Sequence, residues 1–395
     1  MHTSVTGRRF VAVLCSAVFC LAILLPIAAG FLHIAPAGHL AEATGSPFPA
    51  FSWDVASAKA VGKALTDGWL DRNFPFRETL IRWHNYWSSS MFGTLSPNSP
   101  VLVGKDGWLF LARDHTIKVL EEDRRGAPLT EAELERLVRD FTERQAWLAR
   151  HGIKYLLVVA PNKDSIYPEF LPASHPKGSG PSRLDQVMEY MARHTTLNVV
   201  DPRPALLAAK KHTRVFYATD SHWNADGAFL CYQLIIERLS KDFPALTPMD
   251  ASQFFSEEYA FLGGDLAYMA GLADLVMENK RVLIPKVPMS ARGMSTGREK
   301  PGYYQPAQAS AVEGKNLPRA VFFHDSYFWD MLPFLGEHFS RAVYVWVRPG
   351  EHGRSVFDKD LILEEKPDVV VEQIAERFFL HMPADDAKPA QEKAK

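Results

Sequence analysis

The amino-acid sequence predicts an α/β fold in which a parallel sheet is flanked by helices. After residue 130, short apolar runs suited to strands alternate with helical segments, an order that favours parallel strands joined by helical crossovers. Tyr155 to Ala160 is a continuous apolar run, which is typical of a strand buried on both faces. In such sheets the site lies outside the carboxyl ends of the strands, so we expect functional side chains there.

Length and composition describe an ordinary globular protein. The 395 residues are enough for one large or two smaller domains, and the net charge of -2 gives no sign of nucleic-acid binding. Cys15 and Cys20 lie in an N-terminal apolar segment, and Cys231 is the one remaining cysteine. The body therefore has no partner for an internal disulfide, which does not exclude export at this size.

The N-terminus resembles an export signal. Arg8 and Arg9 precede an uncharged run from Phe10 to Leu32, about the ~20 residues that a membrane-spanning helix needs. We predict an uncleaved signal anchor over residues 1–32 with the body outside the cytoplasm, since basic flanks stay inside. A cleaved signal peptide ending at Ala37 is the alternative.

The remaining chain is divided by composition. Residues 33–50 are rich in Ala, Gly and Pro and predict a linker. Residues 51–383 are expected to form one folded domain, and residues 384–395 a disordered tail of Ala and charges. The first part of the domain predicts helices over Ala56–Leu70 and Glu78–Met91, then a hairpin over Val101–Phe110 that turns at Lys-Asp-Gly.

Further elements follow from caps and periodicity. Thr130 and Glu133 form a capping box before a helix that runs to Arg150, and Ser182 and Asn224 are N-caps of later helices. Residues 286–318 are polar and aperiodic, so we expect a long loop or small excursion. The other predicted helices cover 183–194, 205–211, 225–239, 328–338 and 356–363, and the other strands 197–200, 215–217, 320–323, 342–347 and 368–371.

Two short stretches carry the candidate chemistry. Asp220 and His222 are two positions apart, a spacing that projects both side chains to one side of an extended segment. Ser326 follows the strand-forming run Ala320–Phe323. A serine needs a general base, so we predict Ser326 as nucleophile, His222 as base and Asp220 as the group that orients the imidazole. Taken singly, a serine after a strand is more often a turn residue or a helix cap, and a lone Asp-x-His pair is more often structural.

Acyl transfer also needs oxyanion donors. The candidates are the backbone N–H of Ser326 or Tyr327, together with Asn162 and Gly264. The Gly263-Gly264 segment is equally typical of a plain tight turn. Trp223 and Trp329 flank the site and are candidates for stacking on a sugar, although packing of the strand ends explains them as well. A metal set of Asp220, His222, His324 and Asp325 is the weaker alternative, because adjacent residues tend to point apart. We predict neither a metal nor a cofactor.

Five stretches together resemble the alginate O-acetyltransferase family of the AlgX/AlgJ type, which has an SGNH-hydrolase-like domain. The chain order Asp220, His222, Ser326 matches the order of that family. The resembling stretches are Gly104–Phe110, Thr219–Asn224, Gly264–Leu266, His324–Tyr327 and Glu372–Arg377.

The resemblance implies a periplasmic enzyme, anchored to the inner membrane, that moves acetyl groups onto an exopolysaccharide through a serine acyl-enzyme. It also implies a membrane-bound O-acyltransferase as the partner that supplies acetyl groups. Two alternatives remain open from the sequence: a carbohydrate acetyl esterase of the SGNH type, in which water is the acceptor, and a non-catalytic scaffold for polysaccharide assembly.

Overall fold

A computed structural model describes residues 10–21, 24, 53–66, 77–114, 117–120, 128–176, 178, 180–347 and 356–381. The predicted linker and tail lie outside these residues, as does much of the predicted anchor, of which residues 10–21 are helical. Within the described residues, no helix combines the length and the apolar character needed to cross a membrane.

The described elements alternate in the predicted order. The strands are β1 Val101–Val103, β2 Leu109–Leu111, β3 Lys154–Ala160, β4 Val199–Val200, β5 Phe254–Leu262, β6 Met277–Pro285, β7 Arg292–Ser295, β8 Gln308–Ala311, β9 Arg319–His324, β10 Arg341–Trp346 and β11 Val369–Ala375. The helices are α1 Val55–Thr66, α2 Arg77–Phe92, α3 Glu131–Arg150, α4 Lys163–Ile166, α5 Arg183–His194, α6 Arg203–Ala209, α7 Ala225–Leu239, α8 Asp265–Met269, α9 Leu332–Gly336, α10 Lys359–Glu365 and α11 Glu376–Phe379.

Seven strands form the main sheet in the order β4-β3-β11-β9-β10-β8-β7. The first five are parallel, as predicted, whereas β8 and β7 extend the sheet in the antiparallel sense. The expectation of a loop over residues 286–318 was therefore wrong in part. These two strands are short and consist largely of small and polar residues, so their sequence carries little strand signal. They form because β8 pairs with β10 and β7 pairs with β8.

The second correction concerns Val215–Tyr217, predicted as a strand. This segment lies outside the sheet and makes an isolated antiparallel bridge from Phe216 to Trp223. Its backbone is satisfied locally, because Asn224 N–H donates to the Val215 carbonyl and Val215 N–H donates to the Tyr167 hydroxyl oxygen. The run is apolar because all three side chains are buried in the core, not because it joins the sheet.

Both faces of the sheet are covered. In β3, Leu156 and Val158 belong to the core on one face, whereas Leu157 and Val159 belong to the core on the other. Helix α7 packs on the first face, and helices α3 and α5 pack on the second. This alternation explains why the strand sequences are apolar throughout.

The predicted helix caps are present. Thr130 with Glu133 forms the capping box of α3, and the Asn224 side chain accepts from Gly227 N–H at the start of α7. Ser182 caps α5 in the same way. The helix predicted over 328–338 is instead a 3₁₀ turn over Ser326–Met331 that leads into the short α9.

Two antiparallel strand pairs, β1–β2 and β5–β6, lie outside the main sheet. In β1–β2 the Lys-Asp-Gly turn is confirmed, with positive φ angles of 53° at Asp106 and 78° at Gly107, as Asp-Gly turns favour. Helix α8 packs on this hairpin in a small third core. The longer hairpin β5–β6 pairs nine residues on each strand and is largely exposed.

Candidate active site

Asp220, His222 and Ser326 meet in one line of hydrogen bonds. His222 Nδ1 lies 2.7 Å from Asp220 Oδ1, and His222 Nε2 lies 2.8 Å from Ser326 Oγ. Because a carboxylate can only accept, Nδ1–H donates to Asp220 and the neutral Nε2 is left to accept the serine proton. The three predicted catalytic residues are thus brought together in the arrangement that nucleophilic acyl transfer requires.

Ser326, the predicted nucleophile, is held from the strand behind it. Ser326 follows β9, and the preceding Asp325 caps the 3₁₀ turn by accepting from Tyr327 N–H at 3.0 Å. Two groups of β11 donate to the buried Asp325 carboxylate: Ala375 N–H at 2.6 Å and Gln373 Nε2 at 2.9 Å. Register with β11 therefore fixes the position of Ser326.

Asp220 and His222 lie on a loop that a buried lysine holds. Lys163 Nζ donates to the backbone carbonyls of Tyr217 at 3.2 Å, Ala218 at 2.9 Å and Asp220 at 2.7 Å. An ammonium has three protons, so these three bonds use its full capacity. The loop that carries the base is thereby tied to α4, at the carboxyl end of β3.

Lys163 is 4% exposed, and its ammonium lies 5.6 Å from the ring centre of Trp108 and 5.3 Å from that of Phe110. Burial lowers the pKa of Lys163 to about 7, although the carboxylates of Asp265 and Asp220 oppose the shift. The sequence interpretation missed this residue while naming its neighbour, Asn162. Two features of the sequence could have indicated a buried lysine here: Lys163 closely follows a strand buried on both faces, and the hairpin before it carries the aromatic residues Trp108 and Phe110.

The same loop is held on its other side by Glu278 of β6. The Glu278 carboxylate accepts from the N–H groups of Ala218 at 2.6 Å and Thr219 at 3.0 Å, and from the Thr219 hydroxyl. Thr219 Oγ1 in turn accepts from Gly264 N–H at 3.0 Å. The long hairpin therefore has a direct structural link to the catalytic loop.

Gly264 allows α8 to approach Asp220 closely. A Cβ at Gly264 would lie 2.4 Å from Asp220 Cβ, a separation that no side chain tolerates. The approach lets Asp265 N–H donate to Asp220 Oδ2 at 3.0 Å. The second oxygen of Asp220 is thus occupied, and the carboxylate keeps one orientation toward His222.

Asp265 supplies a second carboxylate that the sequence interpretation did not weigh. Its oxygens accept from Ser221 N–H at 2.6 Å and from the Ser221 hydroxyl at 2.5 Å, and Oδ2 lies 3.5 Å from His222 Nδ1. Asp265 follows the Gly263-Gly264 turn, more than forty residues from His222, and only the fold brings the two together.

The two carboxylates set the charge of the imidazole. Burial alone lowers the pKa of His222, but the hydrogen bond to Asp220 and the negative charges of Asp220 and Asp265 outweigh burial and raise it. Burial and the charge of Asp220 raise the pKa of Asp265. For Asp220, burial is outweighed by the bonds to His222, so its pKa is lowered and it stays ionised.

The structure corrects two of the predicted oxyanion donors. Tyr327 N–H is donated to Asp325 Oδ1, and Gly264 N–H is donated to Thr219 Oγ1, so neither N–H is available to a substrate. Asn162 is buried at the carboxyl end of β3, where its side chain lines a small cavity with Tyr327. Its role as a donor stays a prediction.

The two predicted stacking residues differ in exposure. Trp223 is 1% exposed and donates its indole N–H to the Tyr327 carbonyl at 3.0 Å, so it packs the core and is no platform for a sugar. Trp329 is 37% exposed. Tyr327 connects the two motifs, since its hydroxyl donates to the Ser221 carbonyl and its ring lies 4.7 Å from that of His222.

The metal set weighed from the sequence does not assemble. His324 Nδ1 bonds to the Asp325 carbonyl, burial lowers the pKa of His324 to about 4, and the Asp325 carboxylate faces β11. Ligand-type atoms of Asp220, His222 and Asp265 do lie within 4.8 Å of one another. Those atoms are hydrogen-bonded to one another and to Ser221, an arrangement that orients an imidazole.

Comparisons with known proteins identify the family of the chain. A family model described as "SGNH hydrolase-like domain, acetyltransferase AlgX" matches residues 101–376. "Probable alginate O-acetylase AlgJ" of Pseudomonas aeruginosa is 32% identical over 162 residues, or 40% of this chain and 37% of that protein. The Pseudomonas putida protein of the same name is 27% identical over 188 residues, or 47% and 45%. The chain therefore covers less than half the length of these relatives.

Among solved structures, Bacillus cereus PatB1 is similar with a TM-score of 0.51 and 15% identity, over 72% of this chain and 98% of that one. At this identity the similarity concerns the fold alone. Together with the family model it confirms the predicted SGNH-hydrolase-like α/β fold.

We predict that Lys163→Met lowers the rate at which a fluorophosphonate labels Ser326 by about ten- to a hundredfold. The substitution removes three hydrogen bonds to backbone carbonyls and so frees the loop that aligns His222. The rate is measured by intact mass, with circular dichroism as the check on folding. Lys154→Met is the matched control, since Lys154 begins β3 in an exposed pair with Asp242. Wild-type labelling of a folded Lys163→Met protein would contradict the assignment.

Proposed function

Because the chain belongs to the family of SGNH hydrolase-like domains described as acetyltransferase AlgX, we propose that it transfers acetyl groups to a hydroxyl of an exopolysaccharide through an ester on Ser326. The observation that carries the proposal is the position of His222, which lies within hydrogen-bond distance of both Asp220 and Ser326. That the AlgJ relatives are named alginate O-acetylases supports a polysaccharide acceptor.

In the first half-reaction Ser326 Oγ attacks the carbonyl carbon of the acetyl donor while His222 Nε2 takes the serine proton. The tetrahedral intermediate collapses, the bond to the donor oxygen breaks, and the leaving oxygen takes the proton from His222. The products are acetyl-Ser326 and the deacetylated donor, with His222 neutral again. Asp220 holds the imidazole and stabilises its protonated form throughout.

In the second half-reaction the acceptor hydroxyl loses its proton to His222 Nε2 and attacks the acetyl carbonyl. Collapse expels Ser326 Oγ, which recovers the proton from His222, and the acetylated sugar leaves. Water in place of the sugar would give hydrolysis by the same steps. The side chains of Asp220 and His222 are 21% and 24% exposed, so the acceptor has access from solvent.

The negative oxygen of each tetrahedral intermediate needs donors. We propose the backbone N–H of Ser326 as one of them, because it opens the 3₁₀ turn and has no acceptor among the described residues. One such donor contributes about 3 kcal/mol to stabilisation of the transition state. Asn162 is the proposed second donor.

We further propose that the domain works in the periplasm, anchored to the inner membrane by residues 1–32. The uncharged run after Arg8 and Arg9 supports export. A membrane-bound O-acyltransferase would then present the acetyl group, which fits a chain that needs no soluble cofactor for the steps above. Detecting residues 1–32 in the mature protein would separate an anchor from a cleaved signal peptide.

Incubation with an acetyl ester is expected to add one acetyl group to Ser326, seen by intact mass and located by peptide mapping. Ser326→Ala should lower turnover by about 10⁴-fold or more, because the residual rate depends on binding and oxyanion donors alone. Adding an oligosaccharide then separates transfer from hydrolysis by the product formed. A Ser326→Ala protein that turns over at the wild-type rate would exclude the acyl-enzyme, whereas a wild-type protein that neither forms the ester nor turns over would favour the scaffold.

The acid limb of the pH–rate profile reports His222, which must be neutral to act as base. Since the charge of Asp265 raises the pKa of His222, we expect Asp265→Asn to move the acid limb of kcat/KM to lower pH. Asp242→Asn, at the exposed pair with Lys154, should leave the limb in place. An unchanged limb in Asp265→Asn, or one moved to higher pH, would show that Asp265 does not act on the imidazole.

A further inference from the structure

Three aromatic side chains form a cluster at the carboxyl ends of β9 and β10, which we call the aromatic platform: Trp329, Trp346 and Tyr304. The Trp346 ring stacks on that of Tyr304, with centroids 3.9 Å apart and planes at 23°, and meets the ring of Trp329 edge-on at 5.1 Å. Trp346 is half-buried, whereas Trp329 is 37% and Tyr304 51% exposed. The platform is thus a supported aromatic surface that faces solvent.

Its position relative to the nucleophile follows from the 3₁₀ turn. In a 3₁₀ helix, side chains at i and i+3 eclipse and each residue rises about 2 Å. Trp329 is three residues after Ser326 within Ser326–Met331, so regular 3₁₀ geometry starts the two side chains on one side of the turn, with their backbone positions about 6 Å apart along its axis. That distance is comparable to the reach of a single sugar ring.

The platform is fixed to the same strands as the nucleophile. Trp346 ends β10 and pairs in register with His324, two residues before Ser326. Tyr304 is tied to it by a hydrogen bond from Tyr304 N–H to the Trp346 carbonyl at 2.8 Å. A ligand held on these rings is therefore held at a set distance from the hydroxyl of Ser326.

Leaving contiguous aromatic surface exposed to water is unfavourable, because its burial would stabilise the protein. Such a surface is therefore typical of a binding site. The rings offer flat apolar faces whose negative quadrupole attracts polarised C–H groups. The C–H face of a pyranose matches this chemistry while its hydroxyls remain free to reach a neighbouring ester. A sugar thus fits the platform better than an extended peptide, which would need backbone donors and acceptors.

We propose that the aromatic platform is the acceptor subsite, which stacks a pyranose unit of the polysaccharide so that its hydroxyl reaches the acyl carbon on Ser326. This inference rests on the acetyl transfer proposed above. It extends the sequence prediction for Trp329 to two residues that lie in other elements, and it replaces Trp223, which is buried.

Binding is tested in full-length Ser326→Ala protein, so that no acetyl chemistry contributes. The probes are an oligomannuronate and the neutral cellohexaose, titrated by calorimetry. We expect Trp329→Ala and Tyr304→Ala each to weaken binding about three- to tenfold, whereas Trp329→Phe and Tyr304→Phe keep most of it because a ring remains. Trp87→Ala, which removes an exposed indole from α2, should bind as the parent does.

Transfer is tested in protein with Ser326 present, by the ratio of acetylated oligosaccharide to free acetate. Trp329→Ala should raise the KM for the acceptor and shift products toward acetate. The proposed acceptor subsite is wrong if the parent binds neither probe. It is also wrong if the Ala variants bind and transfer as the parent does, whether or not Ser326 forms its ester. If Ser326 forms no ester while binding still depends on Trp329, the subsite stands and the acyl-enzyme is wrong.

Discussion

The site depends on holding a loop that belongs to no sheet. Residues 217–222 carry the proposed base and its carboxylate, yet they form no strand of their own. The Ala218 carbonyl accepts from Leu109 N–H of β2 at 2.9 Å, and side chains satisfy several other backbone groups of the loop. Lys163 donates to three carbonyls of this loop, and Glu278 accepts from two of its N–H groups. Each backbone group left without a partner would cost about 1–3 kcal/mol. The side chains of Lys163 and Glu278 therefore stabilise the loop by satisfying its backbone groups, as strand pairing does within a sheet.

Nucleophile and base are therefore positioned by different means. Ser326 is fixed through β9, with Asp325 bonded to groups of β11, so its place follows from sheet register. His222 is fixed by side chains from α4, β6 and α8, which converge from distant parts of the sequence. The two supports meet at a 2.8 Å hydrogen bond, and the charges of Asp220 and Asp265 around it raise the pKa of the imidazole in spite of burial.

The sequence predicts those parts of the fold that depend on interactions between residues close together in the chain. Apolar runs such as Tyr155–Ala160 gave strands, and the capping box at Thr130 and the N-cap at Ser182 gave helix starts. The Asp-x-His and Asp-Ser stretches gave the three residues that meet. Val215–Tyr217 was wrongly predicted as a strand, because a buried loop and a buried strand have similar apolar compositions. Asp265 and Lys163 were missed because what they do depends on contacts between distant segments, which no local pattern encodes.

The central claim is that His222 is a neutral base with its proton on Nδ1 and a raised pKa. Nitrogen-15 NMR of histidine-labelled protein, with the signal assigned through His222→Gln, measures both properties directly. We predict that Nδ1 keeps its proton while Nε2 titrates with a pKa above the ordinary value of about 6.5. A pKa at or below that value, or a neutral form protonated on Nε2, would contradict the account.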